Sequence, residues 1–157
     1  MRVIVYVYSA VKMMNSFEKV FISHSEKETE DFAFEFAKNL QAGVVVTLQG
    51  DLGAGKTVFA RGFARGLGVT EPVSSPTYTI VQEYQLADKK RLYHLDLYRI
   101  SSPESALAFG VDEFFDDPNG FALVEWPERV GNVIPDNAVK ITLKHLSETE
   151  REINVQQ

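Results

Sequence analysis

Residues 44 to 57 read V-V-V-T-L-Q-G-D-L-G-A-G-K-T, and this stretch decides the fold class. Val44 to Leu48 is an uninterrupted, mostly β-branched run, which is typical of a strand buried on both faces of a sheet. Gly50 to Thr57 matches the pattern G-x-x-x-x-G-K-[ST], and Lys56 to Leu67 is expected to form a helix. A strand, a glycine-rich loop and a helix in this order predict a phosphate-binding loop in an α/β domain.

The chemistry of this loop follows from its residue types. Glycines let backbone amides approach an anion closely, and those amides and the helix N-terminus would hold phosphate oxygens. Lys56 would reach the β- and γ-phosphates, and the Thr57 hydroxyl would bind Mg²⁺. The alternative is a glycine-rich turn that binds no nucleotide. We predict that the loop residues hold the nucleotide: Gly50, Asp51, Leu52, Gly53, Ala54, Gly55, Lys56 and Thr57.

Two acidic residues are candidates for chemistry on a bound phosphate. Glu125 follows the apolar run Phe121 to Val124, and ligands bind at the carboxyl ends of strands in parallel sheets. Asp96 lies in the alternating segment Tyr93 to Arg99. Because a phosphate loop needs an acid for the metal and a group that positions water, we predict that Asp96 and Glu125 act in catalysis with Lys56. The alternative for each acid is a solvated carboxylate at a strand end.

The segment around Asp96 has two different faces. A period of two places His94, Asp96 and Tyr98 on one face, which we expect to be a polar surface, and apolar residues on the other. A structural and a functional role are both open for His94. Arg99 has two open partners as well, a phosphate or Asp96.

The segment Ser74 to Thr79 reads S-S-P-T-Y-T and follows the helix of the phosphate loop. Hydroxyl groups on a proline-stiffened loop are suited to respond to a γ-phosphate, as switch loops do. The alternative is an ordinary capped turn.

Composition and charge restrict the function classes. The chain has 157 residues, of which 45% are hydrophobic and 24% charged, which is average for one globular domain. It contains no cysteine, which excludes disulfides, thiolate metal sites and cysteine nucleophiles. The net charge of -6 disfavours a protein that binds nucleic acid by itself.

The remaining pattern predicts a mixed sheet. Two alternating segments, Tyr78 to Leu86 and Leu92 to Tyr98, flank a hairpin loop, and two further strands are expected at 139–143 and 152–155. Ser25 and Ser102 are expected to cap two helices. We therefore predict an α/β three-layer sandwich with a partly antiparallel sheet.

The N-terminus carries the apolar run Val3 to Val11, about half of the ~20 residues that a membrane span needs. Lys12 stands where a signal peptide would have small residues. Two interpretations of this run remain: it is an extra strand, or it belongs to an upstream extension of the domain. We favour the extension, with residues 1–13 outside the fold and residues 14–157 forming a single ATPase domain.

Four segments in this order resemble the TsaE (YjeE) family. They are G-D-L-G-A-G-K-T at 50–57, S-S-P-T-Y-T at 74–79, H-L-D-L-Y-R at 94–99 and V-E-W-P-E at 124–128. The resemblance runs from about Phe17 to about Val155, and residues 1–13 lie outside it. Mapped onto this chain, it implies that Thr77 lies in a switch-like segment and Trp126 at the nucleotide site. It also implies that Asp96 and Glu125 are the functional acids. We predict Thr57 and Glu125 at the metal, and which of the two acids contacts the metal directly stays open.

The resemblance also implies a function. The fold would be that of a P-loop NTPase, which binds ATP or ADP with Mg²⁺ and hydrolyses ATP slowly unless partners stimulate it. The partners would be TsaD and TsaB, which transfer a threonylcarbamoyl group to a tRNA adenosine, and the ATPase would reset their complex between turnovers. Such a protein would be cytoplasmic, would have no contact with a membrane, and would meet tRNA only through its partners.

Three other functions share the phosphate loop. A small-molecule kinase is the main alternative, but kinases of this size usually carry an arginine-rich lid, and the arginines here form no such cluster. A GTPase would need an N-K-x-D motif, which this sequence lacks. The third function, a non-catalytic adaptor whose state depends on bound nucleotide, stays an open alternative.

Overall fold

A seven-stranded sheet forms the middle layer of the computed structural model, which describes residues 18–157. The predicted N-terminal extension, residues 1–13, lies outside the described residues. The spatial order is β1-β7-β6-β2-β5-β4-β3. The strands are β1 (Glu18–Ser23), β2 (Val44–Gln49), β3 (Val81–Gln85), β4 (Arg91–Asp96), β5 (Gly120–Glu125), β6 (Val139–His145) and β7 (Arg151–Gln156).

The sheet is mixed, as predicted. Strand β2 runs parallel to both β5 and β6, and β4 runs parallel to β5. The pairs β1–β7, β6–β7 and β3–β4 are antiparallel. Because β2, β4 and β5 are parallel, their carboxyl ends meet at one edge of the sheet, which is where ligands of α/β sheets bind.

Within residues 18–157, four α-helices cover the two faces of the sheet, which gives the three predicted layers. Helices α1 (Glu26–Lys38) and α2 (Lys56–Gly66) pack on one face, and α3 (Pro103–Phe109) and α4 (Val111–Asp116) on the other. Short 3-10 turns lie at Ala87–Lys89, Pro127–Arg129 and Gly131–Val133. Within residues 18–157 no helix has both the length and the apolar character that a bilayer crossing requires.

Serine caps begin α1 and α3, in agreement with the sequence. Ser25 accepts a hydrogen bond from the amide of Glu28 at 3.1 Å, and Ser102 accepts one from Ser105 at 3.1 Å. Helix α4 was not expected. It follows α3 after the single residue Gly110, and its six residues are too few to show a helical period.

Phenylalanine rings fill the core between the sheet and the pair α1 and α2. Phe36, Phe59 and Phe63 are buried and their ring centroids lie 6.3 Å apart. The two helices approach so closely that a Cβ at Gly62 would collide with the backbone of Glu30. This close packing fixes α2, and therefore the loop that precedes it, against the sheet.

Candidate nucleotide site

The predicted phosphate loop joins β2 to α2 at the sheet edge where the parallel strands end. Gly55 is the N-cap of α2 and has φ of +102°, a left-handed conformation that L side chains rarely adopt. No side chain of the described residues caps this helix start. The first amides of α2 are therefore free of side-chain acceptors and suited to an anionic ligand.

Lys56 is buried beside this loop, with 7% of its surface exposed. Its Nζ donates hydrogen bonds to the carbonyl oxygens of Gly50 and Asp51, the latter at 2.9 Å. The ammonium also lies 4.3 Å from the centroid of the Trp126 ring, which is cation–π distance. Burial lowers the pKa of Lys56, and the nearby carboxylates, Glu125 above all, oppose that shift. An anionic ligand beside this buried ammonium would therefore be attracted strongly to it.

Asp96 and Glu125 end neighbouring strands and are partners in the register of β4 and β5. They are only 3% and 2% exposed, so the alternative of solvated strand-end carboxylates is wrong. Asp96 accepts one hydrogen bond from the Thr77 hydroxyl at 2.9 Å and one from the Tyr98 amide at 3.0 Å. The bond from Thr77 connects the segment 74–79 with the acid at the end of β4.

Two further contacts complete the site. The hydroxyls of Thr57 and Ser75 lie 3.0 Å apart, so the segment 74–79 touches the phosphate loop as well as Asp96. Trp126 has a left-handed backbone, with φ of +59°, and its ring packs against Tyr98 at a centroid distance of 5.0 Å. The turn after β5 thus brings the tryptophan over Lys56.

These side chains surround a cavity of about 560 Å³, a size typical of small-ligand sites. Most of the predicted nucleotide-site residues line it: Leu52, Gly53, Gly55, Lys56, Thr57, Thr77, Asp96, Glu125 and Trp126. Gly50, Asp51 and Ala54 are not among its lining residues; the first two direct carbonyl oxygens to Lys56, and Ala54 is buried.

The oxygen atoms around the cavity are of the kinds that bind Mg²⁺. Thr57, Asp96 and Glu125 present hydroxyl and carboxylate oxygens, which are the ligands that this hard cation prefers. Within residues 18–157 no group of three or more His, Cys, Asp and Glu side chains could form an all-protein metal cage. Mg²⁺ does not need one, because it is usually held by one or two carboxylates together with phosphates and water.

The expectation of a shared polar surface on β4 is wrong for His94, which is 1% exposed. The period of two is correct, but this face of the strand belongs to the core that also contains residues of α1 and α2, and His94 pairs with Glu125 at 2.9 Å. Among residues 18–157, Arg99 forms no ion pair with Asp96, and a phosphate partner for it stays a prediction. Its guanidinium lies 4.4 Å from the ring centroid of Tyr78, and Tyr78 is exposed.

Five residues that line the cavity carry no sequence pattern that would have predicted them at the site. They come from the start of α1, from the turn between β6 and β7, and from the first residue of β7: Glu26, Thr29, Glu148, Thr149 and Arg151. The turn reaches the phosphate loop because β6 pairs with β2, a long-range pairing that no local pattern predicts.

Most of the chain matches a known protein family. A family model described as "Threonylcarbamoyl adenosine biosynthesis protein TsaE" matches residues 23–153. The chain belongs to the TsaE family. All four segments that carried the resemblance lie inside the matched range, so the family prediction is confirmed.

Relatives in the TsaE family cover most of the chain. The tRNA threonylcarbamoyladenosine biosynthesis protein TsaE of Bacillus subtilis is 43% identical over 127 residues, which are 81% of this chain and 78% of that protein. The protein of the same name from Treponema pallidum is 39% identical over 85% of this chain and 97% of its own length. The crystal structure of Bacillus subtilis YdiB has a TM-score of 0.76, with 36% identity over 91% of this chain and 87% of that one. This likeness confirms the predicted α/β, P-loop NTPase-like fold.

Proposed function

We propose that the chain is a Mg²⁺-dependent ATPase that serves tRNA threonylcarbamoyladenosine biosynthesis. One observation carries the nucleotide part of this proposal: Lys56, Thr57, Asp96 and Glu125, from three separate segments, line the same cavity at the start of α2. Membership of the TsaE family supports the biosynthetic part, because the relatives named above bear that function in their names.

The phosphate loop would bind the nucleotide. The amides of residues 51–57 would hold the phosphate oxygens, and Lys56 would exchange its two carbonyl acceptors for the β- and γ-phosphates. Trp126 would lie beside the bound nucleotide, because its ring already covers the Lys56 ammonium. Thr77 would respond to the γ-phosphate from the segment 74–79.

The two acids would serve hydrolysis. Thr57 and Glu125 would hold Mg²⁺, which when bound neutralises charge on the β- and γ-phosphates. Asp96 would orient the attacking water, and its hydrogen bonds from Thr77 and the Tyr98 amide keep its carboxylate in one position. Lys56 would stabilise the charge that develops on the transferred phosphoryl group.

The partners would be TsaD and TsaB, with tRNA reached only through them. The chain carries 22 acidic against 16 basic residues, which is unfavourable for holding tRNA by itself. An ATPase of this kind has a use when hydrolysis changes the state of another protein, and we propose that it resets the TsaD–TsaB complex between turnovers.

The test is steady-state release of phosphate by the full chain, alone and with TsaD and TsaB. We expect slow hydrolysis of ATP alone, stimulation by both partners and loss of activity when EDTA removes Mg²⁺. Lys56→Ala should abolish the stimulated rate, whereas Lys140→Ala, a matched change at an exposed position of β6, should keep it. Equal rates with and without the partners would contradict the partner assignment. A phosphorylated small molecule in place of free phosphate would favour the kinase alternative.

A further inference from the structure

His94 is a fully buried titratable side chain to which none of the roles above has been given. It lies on β4, two residues before Asp96, and only 1% of its surface is exposed. Its Nε2 lies 2.9 Å from Oε2 of Glu125, which is 2% exposed. Both partners of this pair are therefore removed from bulk water, where a hydrogen bond is electrostatically stronger than at a surface.

The two side chains meet across neighbouring strands. In the register of β4 and β5, His94 pairs with Leu123 and Asp96 pairs with Glu125, so the ring reaches diagonally to a carboxylate two residues further on. Glu125 lines the cavity, whereas His94 is not among its lining residues. The imidazole thus contacts Glu125 without itself lining the cavity.

The partner determines which ring nitrogen carries the proton. A carboxylate accepts hydrogen bonds, so Nε2 is the donor, and one oxygen of Glu125 is held by it. The other ring nitrogen, Nδ1, has no hydrogen-bond partner among the described residues. The ring therefore makes one polar contact in this part of the chain, and that contact is with Glu125.

We propose that His94 is a positioning residue for Glu125. The inference rests on the proposed ATPase function. By donating its Nε2–H to Oε2, the ring fixes the rotamer of Glu125 and leaves Oε1 for the metal and water in the cavity. A carboxylate without this bond would rotate among several positions, and placing charge accurately is what such sites contribute to phosphoryl transfer. Partners that orient a metal ligand in this way typically affect metal affinity or activity by about 10- to 100-fold.

The experiment compares His94→Gln with His94→Met. Glutamine keeps an N–H donor at a similar reach, and methionine has nearly the same length without a donor, so the pair isolates the hydrogen bond. The readouts are kcat for Mg²⁺–ATP hydrolysis in the presence of TsaD and TsaB, the Kd for ADP, and the melting temperature of each variant. We expect His94→Met to lose about 10- to 100-fold in kcat with little change in Kd. His94→Gln should retain most of the activity.

A purely structural histidine would give a different pattern. Both variants would then melt at a lower temperature while kcat stayed near the wild-type value, or both would lose the same fraction of kcat, and either result would overturn the proposal. An inactive wild-type chain would overturn the proposed ATPase function and this inference with it. An active wild type with an active His94→Met variant would overturn this inference alone.

A spectroscopic measurement keeps the test independent of activity and of the folding of the methionine variant. The chain has three histidines, so the imidazole ¹H–¹⁵N signals can be assigned by substitution. We expect the His94 Nε2–H to exchange slowly with water and its signal to shift in Glu125→Gln. A His94 ring protonated only at Nδ1, or a signal that Glu125→Gln leaves unchanged, would contradict the contact on which the proposal depends.

Discussion

Replacing Lys56 by methionine separates nucleotide binding from folding. Methionine keeps most of the aliphatic stem beside Trp126 and removes the ammonium. That ammonium donates to the carbonyl oxygens of Gly50 and Asp51 and lies over the Trp126 ring. In the proposed complex, the same group would bind the phosphates.

The magnitude follows from these contacts. A hydrogen bond to a charged group contributes about 1.5–3 kcal/mol, which corresponds to a loss of about 10- to 150-fold in nucleotide affinity. Stability should change little for two opposing reasons. The two hydrogen bonds that the charged ammonium donates are lost. Burial lowers the pKa of Lys56, which means that folding disfavours its charged form at neutral pH, and methionine removes this cost.

Isothermal titration calorimetry with ADP and Mg²⁺ measures the affinity without hydrolysis, and thermal melting measures the stability. Lys140→Met is the matched control, because Lys140 is exposed on β6 and does not line the cavity. Wild-type affinity in Lys56→Met would show that the ammonium does not bind the phosphates. An equal loss in Lys140→Met would show that general charge, not the placed ammonium, determines binding.

Four further results are expected. Phe59→Ala, at a fully buried ring, should lower the free energy of unfolding by about 3–5 kcal/mol in chemical denaturation, and Phe109→Ala, at a ring 41% exposed, should lower it far less. Because burial lowers the pKa of Lys56, the ADP affinity should begin to fall, as the pH is raised, at a pH below the ordinary lysine pKa of 10.5. Lys56→Met should lack this part of the pH dependence. The emission of Trp126, the one tryptophan of the sequence, should change on adding ADP and Mg²⁺, and an unchanged spectrum at saturation would place the ring away from the nucleotide. A chain that starts at Met14 should keep its melting temperature and ATPase activity, and a large drop in melting temperature would show that the preceding residues belong to the fold.

Local sequence patterns predicted the parts of the fold that depend on local physics. The β-branched run before Gly50 forms β2, and Ser25 and Ser102 cap their helices, because these features involve residues a few positions apart. The alternation around Asp96 also gave the correct faces of β4. It did not give their environment, since the burial of His94 arises from tertiary packing and not from the sequence of the strand itself.

The candidate site shows the same division. The loop residues and the two acids carry recognisable patterns, and they lie together because β2, β4 and β5 are parallel neighbours. Thr149 and Arg151 reach the cavity through the pairing of β6 with β2 and of β7 with β6, and long-range strand pairing leaves no trace in a short window of sequence. The hydrogen bond between His94 and Glu125 is likewise a tertiary contact.

A crystal structure of the chain with Mg²⁺ and a non-hydrolysable ATP analogue tests the central claim most directly. We expect the triphosphate along the amides of residues 51–57, with Lys56 on the β- and γ-phosphates and Mg²⁺ in contact with the Thr57 hydroxyl. Trp126 should lie beside the nucleotide, and Asp96 and Glu125 should face the γ-phosphate. An analogue bound outside this cavity, or its absence from the crystal at saturating concentration, would contradict the account.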